Sequence, residues 1–116
     1  MKLKKTRNKF EAKIEKQLKR ARVVFSYEAK KIPYLLSGHY IPDFCIQTPT
    51  GVLYVETKGY FRPEAKRKMV AVKKLNPHLD IRIVFYALKK KDIAWAIRNG
   101  FKYSVGTIPK EWLDGL

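Results

Sequence analysis

Two runs rich in β-branched and aromatic residues, Tyr40–Ile46 and Val52–Lys58, flank Gln47-Thr-Pro-Thr-Gly51, a connection with the length and residues of a β-hairpin loop. No other feature of the chain restricts its fold as much, because antiparallel pairing across that loop decides which residues stand opposite each other. Glu56 and Lys58 lie two apart, so both side chains leave the same face of the second strand. Pairing also brings Asp43, which follows Pro42, beside Glu56. Two carboxylates and an ammonium then meet at one point of a sheet.

The other elements follow from periodicity and punctuation. Phe10, Ile14, Leu18 and Ala21 recur at helical spacing among Lys13, Lys16, Lys19 and Arg20, with Asn8 placed to cap the first turn and Glu11 inside it. Strand-like runs at Arg22–Tyr27 and Lys31–Leu36 come next, the latter interrupted by Pro33, which points to an edge or a bend. Pro63 suits the first position of a helix reaching about Leu75 and ended by Asn76-Pro77. Asp80–Tyr86 reads as a buried strand, Lys91–Asn99 as a short helix stopped by Gly100, and Phe101–Tyr103 as a short strand. The expected class is α/β, a mixed sheet flanked by helices, in one domain over residues 10–116 behind a basic arm at 1–9.

Charge narrows the partner. Lys and Arg number 26 against 10 Asp and Glu, a net +16, while 46% hydrophobic content provides a core. Such a body attracts a polyanion, nucleic acid first and an anionic membrane surface second. No apolar run is long enough to span a bilayer, and no apolar segment follows the basic start as an export signal requires. The single Cys45 excludes an intramolecular disulfide framework and suits a reducing cytoplasm.

Paired carboxylates beside a lysine on a phosphate-binding surface have a chemical use. Carboxylate oxygens hold Mg²⁺, which neutralises charge developing on a phosphodiester and activates water, and a lysine adds a fixed positive charge. Without a metal between them such carboxylates would repel the ligand. A further carboxylate could come from Glu11 or Glu15 on the first helix. An E-x-K triplet also occurs on ordinary solvated strand faces, so the reading rests on its combination with Pro42-Asp43 and the charge of +16.

Pro42-Asp43 with Glu56-Thr57-Lys58 matches the PD-(D/E)xK nuclease signature, and the chain resembles the phage endonuclease I family of Holliday-junction-resolving enzymes. The likeness runs through Phe10–Leu18, Phe25–Glu28, Ile32–Tyr34, Tyr40–Phe44, Val55–Gly59, Leu79–Phe85 and Ile108–Trp112. It implies a restriction-endonuclease-like core and a metal site of Glu11, Asp43 and Glu56, with Lys58 as fourth catalytic residue and Mg²⁺, or Mn²⁺ in its place, as cofactor. It implies a homodimer in which residues 10–30 are exchanged through a bridging strand at 31–36, so that Glu11 completes the partner's site. It also implies branched DNA as substrate in a host cytoplasm, with no membrane and no small-molecule cofactor. A longer basic tail would be expected after Trp112, where only four residues follow.

A junction is recognised by shape and phosphate path, so basic residues should grip backbones. Candidates are Lys5, Arg7 and Lys9 in the arm, Lys13 and Lys16 on the first helix, and Lys66, Arg67 and Lys73 on the second. Tyr60 and Phe61, just after the catalytic strand, are candidates for touching DNA, whereas Trp95 reads as core. His39 and His78 read as surface residues and Cys45 as a buried side chain without a paired base. The same basic surface would serve a non-catalytic module for structured DNA or RNA, or a nuclease acting on nicks or duplex ends.

Overall fold

The computed structural model describes residues 8–33 and 38–114. Helix α1, Lys9–Arg20, begins where Asn8 Oδ1 accepts the Glu11 backbone N–H at 2.8 Å. Its inward stripe is Glu11, Ile14 and Leu18, one helical face. Arg22, with φ of 56°, turns the chain away from the helix into strand β1, Val24–Tyr27.

Strands β2 (Ile32–Pro33) and β3 (His39–Tyr40) pair with each other as a small separate ribbon. Strand β4 (Phe44–Thr48) and strand β5 (Gly51–Lys58) form the expected antiparallel hairpin, tighter than its five-residue loop implied because Thr48 pairs with Gly51. Helix α2 (Pro63–Leu75), strand β6 (Asp80–Phe85), helix α3 (Lys90–Arg98), strand β7 (Tyr103–Val105) and helix α4 (Lys110–Leu113) complete the chain.

The main sheet has the order β1-β4-β5-β6-β7. Its first three strands are antiparallel neighbours, and β5, β6 and β7 run parallel. Parallel neighbours need crossovers, which α2 and α3 supply. Alternation along the strands sorts the core into two layers. Ile81, Ile83 and Phe85 of β6 pack with Met69, Val72 and Trp95 on the α2–α3 side. Val84 joins Ile14, Leu18, Phe44, Val55, Ile108 and Leu113 on the α1–α4 side. Each fully buried aliphatic or aromatic side chain contributes about 1.5–3 kcal/mol by leaving water, so the sheet is anchored from both faces.

Several expectations are corrected in detail. The single strand expected at Tyr40–Ile46 is two, because Pro42 has no N–H to give a ladder and the chain bends through Ile41-Pro42-Asp43. β1 starts at Val24, two residues late, because of the turn at Arg22. The last strand falls on Tyr103–Val105 instead of Phe101–Tyr103, since Phe101 is taken into the core against Trp95. α4 was not anticipated. Lys9 belongs to α1 rather than to an arm. The remaining arm residues 1–7, and 34–36 of the expected bridging strand, lie outside the described residues.

Candidate active site

The register of the sheet builds a row of acids. Tyr27 opposes Phe44 across β1–β4, and one residue further the Glu28 N–H donates to the Asp43 carbonyl at 3.0 Å. Phe44 opposes Val55 across β4–β5, so one step on places Asp43 opposite Glu56. Asp43 thus stands between Glu28 and Glu56, on neighbouring strands about 4.8 Å apart. Helix α1 delivers Glu11 from the side, its orientation set by the Tyr27 hydroxyl, which donates to Oε1 at 2.6 Å. Glu11, Glu28 and Asp43 offer oxygens that all lie within 4.8 Å of one another.

Each acid has a neighbour that fixes it. Asp43 Oδ2 accepts both the backbone N–H and the hydroxyl of Thr57, each at 2.8 Å. Glu56 accepts the Tyr40 hydroxyl on Oε1 at 2.7 Å and the Lys58 ammonium on Oε2 at 3.0 Å. Glu56 and Lys58 share a strand face, as their spacing requires. A depression of about 760 Å³ opens onto them, lined also by Glu28, His39, Glu64 and Lys68.

Electrostatically the site is a concentrated demand for positive charge. Glu11, Asp43 and Glu56 are all buried. Burial first, and then the neighbouring Glu56 and Glu11 charges, push the Asp43 carboxyl up from 3.8 to about 8, against the opposing pull of the Thr57 hydrogen bonds. The Tyr40 hydroxyl is raised well above its ordinary range by burial and by Glu56, so it remains a donor. Hard oxygen donors converging in this way fit a divalent cation of the Mg²⁺ class, which would relieve the crowding of charge.

The structure places Asp43, Glu56 and Lys58 together, and Glu11 reaches the Asp43 of its own chain rather than a partner's. The carboxylate oxygens that converge within 4.8 Å are those of Glu11, Glu28 and Asp43, with Glu56 next to Asp43 but outside that group. The basic candidates divide. Lys9, Lys13 and Lys16 line a hollow along α1 with Arg20. Lys66 pairs with Asp92 at 2.9 Å, and Lys73 donates to the Gly100 carbonyl over the Phe101 ring, so both tie α2 to the α3 region. Arg67 is exposed, and Lys5 and Arg7 lie outside the described residues. Phe61 corrects its expectation: it is 4% exposed, edge-on to Trp95, and cannot reach DNA. Burial raises the Cys45 thiol, as befits a packing residue rather than a nucleophile. His39 borders the depression, whereas His78 lies at another hollow beside the Arg82–Asp80 ion pair.

Sequence reasoning missed Glu28, Tyr27, Tyr40 and Thr57 as parts of the site. For Glu28 the signal was its place directly after β1, which pairing with β4 converts into a neighbour of Asp43. The tyrosines carried no signal, since Tyr on a strand suits a core equally well.

A sequence model of the family described as phage endonuclease I matches residues 1–115. Endonuclease I of Escherichia phage T7 is 35% identical over an alignment of 118 positions that covers 92% of this chain and 77% of that protein. Endodeoxyribonuclease 1 of Enterobacteria phage T3 is 38% identical over 88 residues, 73% of this chain and 56% of that protein.

Proposed function

The chain belongs to the phage endonuclease I family, and from that premise we propose that it is a Mg²⁺-dependent endodeoxyribonuclease that resolves four-way DNA junctions. The observation that carries this reading is the convergence of Glu11, Asp43, Glu56 and Lys58 at one end of the β4–β5 hairpin. Asp43, Glu56 and Glu11 would hold the metal, with Glu28 beside them. When bound, Mg²⁺, or Mn²⁺ in its place, supplies a Lewis acid for the phosphate and lowers the pKa of water. Thr57 holds Asp43 and Tyr40 holds Glu56, so the carboxylates are oriented before substrate arrives. The Lys58 Nζ lies 3.0 Å from Glu56, where it can orient the attacking water and stabilise charge on the phosphoryl oxygens.

Resolution needs cuts on two opposing strands, which a two-fold dimer delivers from two identical sites. The homodimer would exchange residues 10–30 through the segment at 31–36. α1 and β1 are contiguous and packed by Ile14, Leu18 and Tyr27, so the same contacts could form between subunits without new surface chemistry. The grip on backbones would come from Lys9, Lys13 and Lys16, with Arg67 on α2 and Lys5 and Arg7 from the arm.

No helix among the described residues is long and apolar enough to cross a membrane, and the host cytoplasm, where phage DNA is processed, is the proposed site of action. The test is incubation of a synthetic immobile junction, and of linear duplex of the same sequence, with protein and Mg²⁺. Paired nicks near the branch point, with little cutting of duplex, are expected. An intact junction at micromolar protein refutes the reading. Tight binding without metal-dependent product would identify a non-catalytic module, and equal cutting of linear ends or nicks a less selective nuclease.

A further inference from the structure

The segment that leaves β5 displays one aromatic residue and buries the next. In Gly59-Tyr60-Phe61-Arg62, Phe61 is held edge-on to Trp95 at 4.8 Å and against Phe85 at 6.0 Å. That anchor fixes the loop. Tyr60, its neighbour, is 72% exposed, with the Arg62 guanidinium 5.3 Å and the Lys89 ammonium 5.7 Å from its ring centre. Lys89 also donates to the Gly59 carbonyl at 3.4 Å, which brings the loop after β6 alongside.

That second loop is tied to the catalytic strand. The Tyr86 N–H donates to the Lys58 carbonyl at 2.8 Å, and the Tyr86 ring meets Phe10 edge-on at 5.4 Å, one residue before Glu11. Tyr86 and Leu88 are exposed. Tyr60, set between Arg62 and Lys89, therefore stands beside the end of the strand that carries Lys58, and Tyr86 ties that strand end to the helix that carries Glu11. Tyrosine flanked by cations is the combination that stacks on nucleobases: the ring offers a π-face, and an exposed ammonium can move from it to a neighbouring phosphate.

We propose that Tyr60 is a stacking platform for a base whose face is uncovered at the branch point of the substrate, and so contributes to discrimination between branched and linear DNA. The proposal rests on the nuclease reading above. In continuous duplex every internal base is covered on both faces, whereas a branch interrupts the stack. Tyr60 lies two residues from Lys58, at most about 7 Å of chain, so it reaches a base one or two nucleotides from the phosphate held at Lys58, given about 3.4 Å per nucleotide along a strand.

The experiment places 2-aminopurine at the branch point of a junction, or at the matching position of a linear duplex, in Ca²⁺ to allow binding without cutting. Binding is read by anisotropy and base stacking by fluorescence. Wild-type protein should change the branch-point fluorescence. Tyr60→Ala should abolish that change and weaken junction binding about 5- to 150-fold, with a much smaller effect on duplex. Tyr60→Phe and Tyr60→Trp should keep both signals. Unchanged fluorescence response and affinity in Tyr60→Ala overturns the proposal, as does an equal loss on duplex and junction. If wild-type protein binds but never cuts in Mg²⁺, the nuclease reading fails while the fluorescence response still decides the role of Tyr60.

Discussion

Replacing Asp43 with Asn should end cleavage yet stabilise the metal-free fold at neutral pH. In the native protein the Asp43 carboxyl titrates near 8, raised from 3.8 by burial and by Glu56 and Glu11. A carboxyl with a raised native pKa is bound to its proton more tightly when folded, so it costs nothing below about 3.8, and its cost grows as pH rises through that window towards 8. At about 1.4 kcal/mol per pH unit, the full cost at pH 7 would be about 4 kcal/mol. Water entry and relaxation of the side chains reduce such penalties, leaving on the order of 2 kcal/mol. Asn keeps an oxygen for the two Thr57 donors and takes up no proton on folding, so the pH-dependent cost disappears. In chelator, the variant should therefore melt about 10 °C above wild type at pH 7, by the usual scaling for domains of this size, and level with it near pH 4. Mg²⁺ should then raise the wild-type melting temperature and leave that of the variant nearly unchanged. A variant that melts below wild type at pH 7, or a gap independent of pH, refutes the reasoning.

Other outcomes follow from the same geometry. Tyr40→Phe and Tyr27→Phe remove the hydroxyls that hold Glu56 and Glu11; each should raise the Mg²⁺ concentration for half-maximal cleavage about tenfold or more, measured by metal titration at saturating junction, with little change in DNA affinity. Chelation should stop cleavage, and added Mg²⁺ or Mn²⁺ should restore it, followed by product on a denaturing gel. Ile14→Ala, at a fully buried position on the α1 stripe, should cost about 2–5 kcal/mol in a urea melt, because the cavity opens beneath the helix that carries Glu11.

The hairpin and the meeting of Asp43 with Glu56 were legible because period-2 alternation and loop length together determine a register, and the register alone places Asp43 opposite Glu56. α1, α2 and β6 were legible for similar reasons: caps, a Pro at the first helical position, and unbroken apolar runs. Glu28 was not, because its place beside Asp43 depends on β1 pairing with β4, a contact between strands that are not consecutive. Phe61 and Tyr60 looked alike as adjacent aromatics. Only the packing of Trp95 from α3 decides which is buried. The cationic α2 residues were read as a DNA grip, but Lys66 and Lys73 have partners on α3 and at Gly100 that no local pattern reveals.

The central claim is that the carboxylates and Lys58 perform metal-dependent phosphodiester hydrolysis on a junction. Its most direct measurement is single-turnover cleavage and binding on one immobile junction for wild type, Asp43→Asn and Lys58→Ala. The expected result is opposed cuts by wild type, no product from Asp43→Asn, and a fall of about 10²–10³ in rate for Lys58→Ala, while both variants hold the junction about as tightly as wild type. Cleavage at the wild-type rate by either variant would contradict the account.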